Sequence, residues 1–275
     1  MVSGSLVLAS IISIFFFGFR QGIDFVGGTL WEIKLSAAKE DLRLLLPSSA
    51  VINPRAESGF LIRMEQISEK DHQQFLAQLK EKFGEVEELR FDSIGPAIGN
   101  ELKTKSIKAF LLVLLAISLY VAFAFRQVSY PVSSWKYAII TLVTLFHDAI
   151  IPLGVFSVLG RFMNVEIDTS FVVAILVVLG FSVHDTIVVF DRIRENLKIQ
   201  KSRKYEFNQV VNDGINQTLV RSINTSLTLV LVLLAMFFFG APTLQYFVLA
   251  ILIGVVAGTY SSIFIASPLL TFWKK

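Results

Sequence analysis

Two His–Asp pairs occur inside long apolar stretches of this sequence. His147–Asp148 and His184–Asp185 are each surrounded by aliphatic and aromatic residues, and Arg221 lies in a third such stretch. An ionisable side chain in an apolar environment costs several kcal/mol unless it is paired or hydrated, so such residues usually have a function. Asp and His can release a proton, whereas Arg stays charged. The set is therefore a candidate for proton transfer.

The depths of Asp185 and Arg221 can be estimated from the ends of their apolar stretches. Asp191 follows Asp185 by six residues, and Asn216 precedes Arg221 by five. At about 1.5 Å per residue, the two side chains lie about 9 Å and about 7.5 Å inside the same membrane boundary. If the two helices are neighbours, an ionised Asp185 holds Arg221 and a protonated Asp185 releases it, which predicts a proton-dependent change in helix packing.

Two other interpretations of these charges remain open. A permanent ion pair between Asp185 and Arg221 would lock two helices together, although the cost of desolvation offsets the attraction of a buried pair. Intramembrane proteolysis by Asp148 and Asp185 is the second, but neither residue has a recognisable protease motif around it. His147 and Asp148 lie about 16–18 Å beyond Lys136, near the midplane.

The helix that carries Arg221 has one polar stripe. Its polar residues recur at three- and four-residue steps, which places them on one helix face: Gln217, Arg221, Asn224, Thr225 and Thr228. Ser182 precedes Asp185 by three residues and shares its face. These positions predict a polar seam between two helices.

The composition identifies the class of protein to which these helices belong. The 275 residues are 54% hydrophobic, with a mean hydropathy of +0.65, whereas a soluble domain is about 45–50% apolar. The apolar blocks are long enough to span a bilayer, and they predict a polytopic α-helical membrane protein with six transmembrane helices, at 2–19, 107–126, 136–159, 169–190, 216–239 and 243–270. Because the first is short and has no basic residue before it, we expect the chain to begin partway through that helix. The predicted domains are 1–19, 20–106 and 107–275.

The basic residues predict the orientation in the membrane. Ten of them lie after the second and fourth spans and in the tail, against Arg161 alone in the opposite short loops: Arg126, Lys136, Arg192, Arg194, Lys198, Lys201, Arg203, Lys204, Lys274 and Lys275. By the positive-inside rule both termini and the basic loop 191–215 are cytoplasmic, and 20–106 is outside. We interpret the basic run as this orientation signal beside membrane lipid and not as a nucleic-acid site.

Residues 20–106 have the pattern of a small α+β domain. "TLWEIKL" alternates like a strand, with Trp31, Ile33 and Leu35 on one face. Helix, strand, strand, helix and strand signals follow, at 39–46, 49–54, 59–66, 68–84 and 85–92. This β-α-β-β-α-β order predicts a ferredoxin-like domain.

The sequence motifs indicate no enzymatic activity. Residues 20–106 contain no Gly-rich phosphate loop, nucleophile elbow or HExxH, and His72 is expected on the surface of a helix. With no cysteine in the chain, thiolate metal sites are excluded. We expect no catalytic residue, metal or cofactor, with protons as the coupling ion.

Small residues mark two further places. Gly27, Gly28, Gly95 and Gly99 flank the outside domain and are expected to be its hinges. The last span has a small residue at every fourth position, which predicts close helix packing: Ala250, Gly254, Gly258, Ser262 and Ala266.

Four motifs together resemble one family. They are "GIDFVGGT" (22–29), "IGPAIGNEL" (94–102), "GFSVHDTIVVFDRIREN" (180–196) and "NQTLVRSINTSLT" (216–228). In this order and spacing they resemble the SecF branch of the SecD/SecF family, bacterial protein-export membrane proteins of the resistance-nodulation-division superfamily. The resemblance covers essentially the whole chain.

The resemblance implies a function. A SecF-like chain pairs with SecD to form a twelve-helix core in the bacterial inner membrane, and the pair uses the proton gradient to assist preprotein movement through SecYEG. Further implied partners are YajC or a YidC-like insertase. The family assigns Asp185 and Arg221 to the proton path, and His147–Asp148 resembles a pair in other members. Many members have Asn at the position of His184, so this residue either joins the relay or only forms hydrogen bonds.

Two other functions remain as alternatives. One is half of another proton-coupled exporter of the same superfamily, for which a domain of about eighty residues is small. The other is a non-transporting membrane scaffold in which the charges are static.

Overall fold

The computed structural model describes residues 2–35, 38–54, 59–126, 132–199 and 206–272. The chain divides into two compact units, one of Gln21–Ile107 and one of Met1–Arg20 with Lys108–Lys275. The basic residues Lys201, Arg203, Lys204, Lys274 and Lys275, on which the predicted orientation partly rests, lie outside the described residues.

The unit Gln21–Ile107 contains a four-stranded antiparallel sheet. Its elements are α2 (Ile23–Val26), β1 (Gly28–Lys34), α3 (Lys39–Arg43), β2 (Val51–Pro54), β3 (Gly59–Met64), α4 (Glu69–Phe83) and β4 (Glu87–Ile94). The strand order is β2-β3-β1-β4. Strand β1 alternates as the sequence predicts, since Trp31 and Ile33 are fully buried in the apolar core. Helix α4 begins with a capping box between Ser68 and Asp71, which satisfies backbone donors at its first turn.

The prediction that His72 lies on the surface is wrong. Its side chain is 3% exposed, and its ring stacks on Phe91 with the ring centroids 3.7 Å apart. His72 Nε2 is 2.6 Å from Glu88 Oε2, which also accepts a hydrogen bond from Trp31 Nε1 at 2.8 Å. The aromatic face of β4 and β1 therefore covers a histidine that helical position alone places at the solvent edge.

The four predicted hinge glycines lie in tight contacts within this unit. A Cβ at Gly27, whose φ is +78°, would lie 2.8 Å from Pro96, and one at Gly99 would lie 3.0 Å from the Gly27 nitrogen. A Cβ at Gly28, with φ +121°, would lie 2.9 Å from a backbone oxygen of β3, and one at Gly95 would lie 3.3 Å from a side-chain oxygen. Sterics and positive φ therefore already require glycine at Gly27 and Gly28, while the hinge role stays a prediction.

The other unit is helical. Helix α1 (Val2–Phe17) is followed by the part of α5 (Pro96–Ala124) that begins at Lys108, and then by α6 (Ser134–Met163), α7 (Thr169–Ile199) and α8 (Phe207–Phe239). A last apolar stretch consists of a 3₁₀ turn (Pro242–Leu244), α9 (Gln245–Ser261), a π-helical segment (Ser262–Ala266) and α10 (Ser267–Phe272). Within the described residues, five helical stretches are long and apolar enough to cross a membrane, and α1 is a shorter apolar helix of 16 residues.

Small residues allow the helices to approach closely, as the sequence predicts. Ala250, Ser262 and Ala266 are fully buried. A Cβ at Gly254 would lie 2.3 Å from a methyl carbon of Val178 on α7. The backbone of α9 at Gly254 therefore lies directly against the Val178 side chain of α7.

This contact predicts a stability difference between two glycines. Gly254→Ala is expected to destabilise the chain by about 1–3 kcal/mol, because the new methyl group overpacks the α7–α9 contact. Gly180→Ala on α7 is the matched control, since a Cβ there meets nothing within 4 Å, and it is expected to be neutral or slightly stabilising. Thermal unfolding of the purified chain in detergent measures both, and equal melting temperatures for the two variants would contradict the packing argument.

Candidate functional site

Two buried carboxylates lie in the middle of the helical unit. Asp148 on α6 is 0% exposed and Asp185 on α7 is 6% exposed. Pro152 lies within α6, four residues after Asp148, so the backbone carbonyl of Asp148 lacks its helical N–H partner. The carboxylates face a common polar cluster formed mainly by serine hydroxyls of α7 and of the α9–π junction.

Asp148 has a full set of donors. Its Oδ2 accepts from the hydroxyl of Ser182 on α7 and from that of Ser261 at the end of α9, at 2.7 Å. Its Oδ1 is 2.7 Å from Nδ1 of His147. With Asp148 ionised, Nδ1–H of His147 donates and Nε2 is left to accept from Ser3 of α1, 2.9 Å away. This carboxylate thus connects four helices.

Asp185 has a much smaller set of partners. Its Oδ2 accepts from the hydroxyl of Ser262 at 2.5 Å. Within the described ranges, no basic side chain forms an ion pair with it. A single hydroxyl partner, which can donate or accept, suits a carboxyl group in either protonation state.

The serines that contact the two carboxylates are adjacent in sequence. Ser261 ends α9 and Ser262 begins the π-helical segment. Pro268 follows in α10 and cannot donate to the carbonyl four residues before it, which favours a widened turn there. Short π segments inside helices are frequent at functional sites. The α9–π junction therefore links Asp148 to Asp185 through consecutive residues.

The predicted ion pair between Asp185 and Arg221 is not formed within this chain. Helices α7 and α8 are neighbours, because a Cβ at Gly214 would lie 2.6 Å from Ile193. The side chain of Arg221 is exposed, and within the described residues it has no hydrogen-bond or ion-pair partner. The estimated depth of the two residues stays a prediction, and the expected direction of the Arg221 side chain was wrong.

The Arg221 side chain points outward because another face of α8 is buried against the neighbouring helices. A row of small hydroxyl residues at four-residue steps faces the other helices, and each is buried: Thr218, Ser222 and Ser226. Small residues permit close approach, so the wider polar stripe that includes Arg221 faces outward. In that stripe Asn224, Thr225 and Thr228 are exposed. Gln217 hydrogen-bonds to α7, where it accepts from Arg192 Nε at 2.6 Å and Asn196 Nδ2 at 3.0 Å.

The remaining predicted residues lie either in the buried polar cluster or on the exposed surface. Ser182 joins the buried cluster, as its position three residues before Asp185 predicts. His184 is exposed, and in the part of the chain that the structure describes it has no hydrogen-bond partner. Adjacent helix positions point about 100° apart, so His184 faces away from Ser262.

Sequence reasoning missed Ser261 and gave Ser262 a packing role alone. The available signal was the Ser-Ser pair followed six residues later by Pro268 in an otherwise apolar span. Thr186 and Ser222 were also missed, and both have buried hydroxyl oxygens without a hydrogen-bond partner among the described residues.

Comparison with known proteins identifies the family. The family model "Protein export membrane protein SecD/SecF, C-terminal" matches residues 74–275, and "SecD/SecF GG Motif" matches residues 12–39. Curated relatives named Protein translocase subunit SecF include that of Thermobaculum terrenum, which is 44% identical over 100% of this chain and 91% of the relative. The chain belongs to the SecD/SecF family.

Further relatives and structures support the SecD/SecF assignment. The Protein translocase subunit SecF of Synechocystis sp. is 35% identical over 100% of this chain and 91% of its own length. The crystal structure of SecDF, a translocon-associated membrane protein from Thermus thermophilus, matches with a TM-score of 0.83 and 34% identity over 99% of this chain. The chain spans 37% of that longer SecDF chain. A structure of SecDF in the super-membrane-facing form has a TM-score of 0.68.

Membership of the SecD/SecF family defines the general role. The chain is a multi-pass membrane protein with a SecF-type role in protein translocation. The matched GG motif includes Gly27 and Gly28, whose tight contacts and positive φ explain why two glycines are needed there.

Proposed function

We propose that this chain, together with a SecD subunit, uses the proton gradient to assist preprotein translocation through SecYEG, and that Asp185 is the residue that takes up and releases the proton. The observation that carries this proposal is the environment of Asp185. A carboxyl group 6% exposed inside a span, with one hydroxyl partner, is costly to keep ionised. Carboxyl groups in such positions commonly mark proton relays in pumps and transporters.

The proton controls the contact between α7 and the α9–π junction. An ionised Asp185 accepts the Ser262 hydroxyl in a charge-assisted hydrogen bond, which is roughly twice as strong as a neutral one. Protonation weakens this bond and removes a negative charge at the level of Arg221. The π turn then shifts relative to α7, while Ser261 remains bound to Asp148.

Asp148 and His147 hold the helices together in this proposal and do not carry the transported proton. Three donors satisfy Asp148, and the chain of contacts ends on Ser3 of α1. We assign Asp148 as the fixed end of the connection and Asp185 as the end that changes. His184, being exposed, serves a hydrogen bond to a partner and not the relay.

Helix α8 provides the face for SecD. A charged Arg221 facing lipid would be expensive, and Asn224 and Thr225 lie beside it on the same exposed surface. A partner helix with polar or acidic groups satisfies all three. Asp185 and Arg221 thus belong to one path whose second half comes from SecD.

This assignment predicts a cross-link. With Asn224→Cys in the chain, a short thiol cross-linker is expected to join it to cysteines placed in the membrane helices of SecD. The parent chain is the control, because it has no cysteine. No cross-link at position 224 in membranes where the chain still supports export would contradict the assignment of this face.

The proposed architecture follows the family. We propose six membrane helices with α1 as the first, a ferredoxin-like domain outside the bacterial inner membrane, and both termini in the cytoplasm. The order β2-β3-β1-β4 supports the ferredoxin-like assignment, and Arg192 and Arg194 at the end of α7 support the orientation. Protons are the coupling ion, without a metal or organic cofactor, and a YajC or YidC-like protein is a further proposed partner.

The test is complementation of export. Cells that lack their own SecF are given this chain with its SecD, and secretion of a preprotein is followed with and without a collapsed proton gradient. Restored secretion that disappears on collapse is expected. Failure to restore secretion, with both proteins present in the membrane, would contradict the proposed function.

A further inference from the structure

A small cavity lies where α1 and α6 end on the same side of the helical unit. It has a volume of about 240 Å³ and is lined by Phe17, Arg20, Ser157, Gly160, Arg161 and Asn164, together with Gly18 and Phe19. This volume is below the roughly 300–1,000 Å³ of pockets for drug-sized ligands. It suits a small polar group, and it is separate from the carboxylate cluster.

Hydrogen bonds fix the walls of this cavity. Ser157 Oγ donates to the Gly18 carbonyl at 2.7 Å and to the Ser13 carbonyl at 2.9 Å, which ties the end of α1 to α6. The backbone N–H of Ile167 donates to the Arg20 carbonyl at 2.8 Å. The cavity is therefore formed before any ligand enters, which lowers the entropy cost of binding.

The charge of the cavity is positive. Two guanidinium groups line it, those of Arg20 and Arg161, and no Asp or Glu is among the described lining residues. Arg20 Nε is 3.4 Å from Glu166, and its Nη1 donates to Asn164. Arg161 is exposed, and the structure gives it no hydrogen-bond or ion-pair partner among the described residues. One positive charge thus remains available to an anion.

The surroundings of the cavity are apolar and aromatic. Phe17 and Phe162 contact edge to face, with centroids 5.8 Å apart, and they are 44% and 70% exposed. Exposed phenylalanine rings form an apolar surface that suits contact with lipid acyl chains. A ligand here meets a cationic cavity for its head and an apolar surface for its tail.

We propose that this cavity binds the phosphate group of an anionic membrane phospholipid. Arginine binds phosphate with two parallel hydrogen bonds, which suits the phosphate group of a lipid whose acyl chains reach the adjacent rings. Arg161 supplies the free guanidinium, Arg20 holds the cavity wall through its contacts with Glu166 and Asn164, and Phe17 and Phe162 contact the acyl chains. The bound lipid holds the α1–α6 corner at the membrane surface, and this role does not depend on the proton path.

The test is the lipid dependence of thermal stability in the purified full chain. Phosphatidylglycerol, phosphatidylcholine and inorganic phosphate are titrated separately into the detergent-solubilised protein. Phosphatidylglycerol is expected to raise the melting temperature in a saturable manner, and Arg161→Gln is expected to weaken this binding by about tenfold or more, because a charge-assisted hydrogen bond is lost. Lys108→Gln, an exposed lysine on α5 within the same unit, is the matched control and should bind as the parent does.

Each other outcome overturns the proposal. Equal binding of phosphatidylglycerol by the parent and Arg161→Gln would place the lipid elsewhere, and equal loss in Lys108→Gln would show a non-specific charge effect. Stabilisation by inorganic phosphate alone, without any by phosphatidylglycerol, would assign the cavity to free phosphate. The melting temperatures without lipid show whether Arg161→Gln is folded, which its exposed position predicts.

Discussion

Replacing Asp185 by Asn is expected to reduce preprotein secretion to the level of cells that lack the chain, while the amount of protein in the membrane stays unchanged. Asn has nearly the same shape, and its side-chain oxygen can still accept the Ser262 hydroxyl. The variant should therefore fold and bind SecD. What it loses is the ability to take up and release a proton. Secretion assays in complemented cells, with and without a collapsed proton gradient, measure this effect.

Asp213→Asn is the matched control for this experiment. Asp213 lies near the start of α8, is partly exposed and has no hydrogen-bond partner among the described residues. The chemical change is the same, and secretion is expected to remain as in the parent. If Asp185→Asn secretes as well as Asp213→Asn does, Asp185 is a structural residue and the proton step must lie elsewhere.

Replacing Asp148 is expected to have its largest effect on stability. Asp148→Asn replaces one acceptor oxygen by an N–H₂ group, so His147 loses its acceptor or must change tautomer, and the bonds from Ser182 and Ser261 lose the negative charge that strengthens them. Each buried donor left unsatisfied costs about 1–3 kcal/mol. For a chain of this size, each kcal/mol lowers the melting temperature by about 2–4 °C. Thermal unfolding of the purified chain should show this decrease.

The comparison with Asp185→Asn makes the stability prediction specific. Asp185 has one serine partner and Asp148 has three donors, so the same substitution should destabilise at position 148 and have little effect at position 185. Equal melting temperatures for the two variants would show that the hydrogen bonds to Asp148 contribute nothing. A larger decrease for Asp185→Asn would reverse the proposed roles of the two carboxylates.

Much of the secondary structure can be predicted from the spacing of the hydrophobic residues and from the residues that begin and end each helix. The alternation around Trp31 predicts β1 with its buried face, and the Ser68 cap and Gly84 predict both ends of α4. The five long apolar helices follow from length and composition. These features depend on neighbouring residues in the chain, which is why a single sequence is enough to predict them.

The direction of the side chains on α8 could not be predicted in this way. Both of its faces carry polar residues, and polarity alone favours the stripe with Arg221 as the buried one. The structure buries Ser222 and Ser226 because their small size allows α7 and α9 to approach. Size and not polarity decides the contact here, since lipid gives apolar residues no advantage in helix–helix contacts.

Contacts between residues that are far apart in the chain could not be predicted from the sequence either. His72 is buried because Glu88 and Phe91, on a strand later in the chain, cover it. Ser262 contacts Asp185 from a helix that is distant in sequence, and its hydroxyl was interpreted only as a small group. In both cases the residue's role depends on a contact with another helix or strand, and nothing in its own helix indicates that contact. Such pairs cannot be inferred from the spacing within one helix.

The most direct test of the proton step is proton flux in reconstituted vesicles. The chain and its SecD are inserted into vesicles that contain a pH-sensitive dye, a pH gradient is imposed, and the rate of internal acidification is compared for the parent, Asp185→Asn and Asp213→Asn. Our account predicts that the parent and Asp213→Asn conduct protons and that Asp185→Asn is no faster than empty vesicles. Acidification by Asp185→Asn at the parent rate would contradict the assignment of Asp185 as the proton-carrying group.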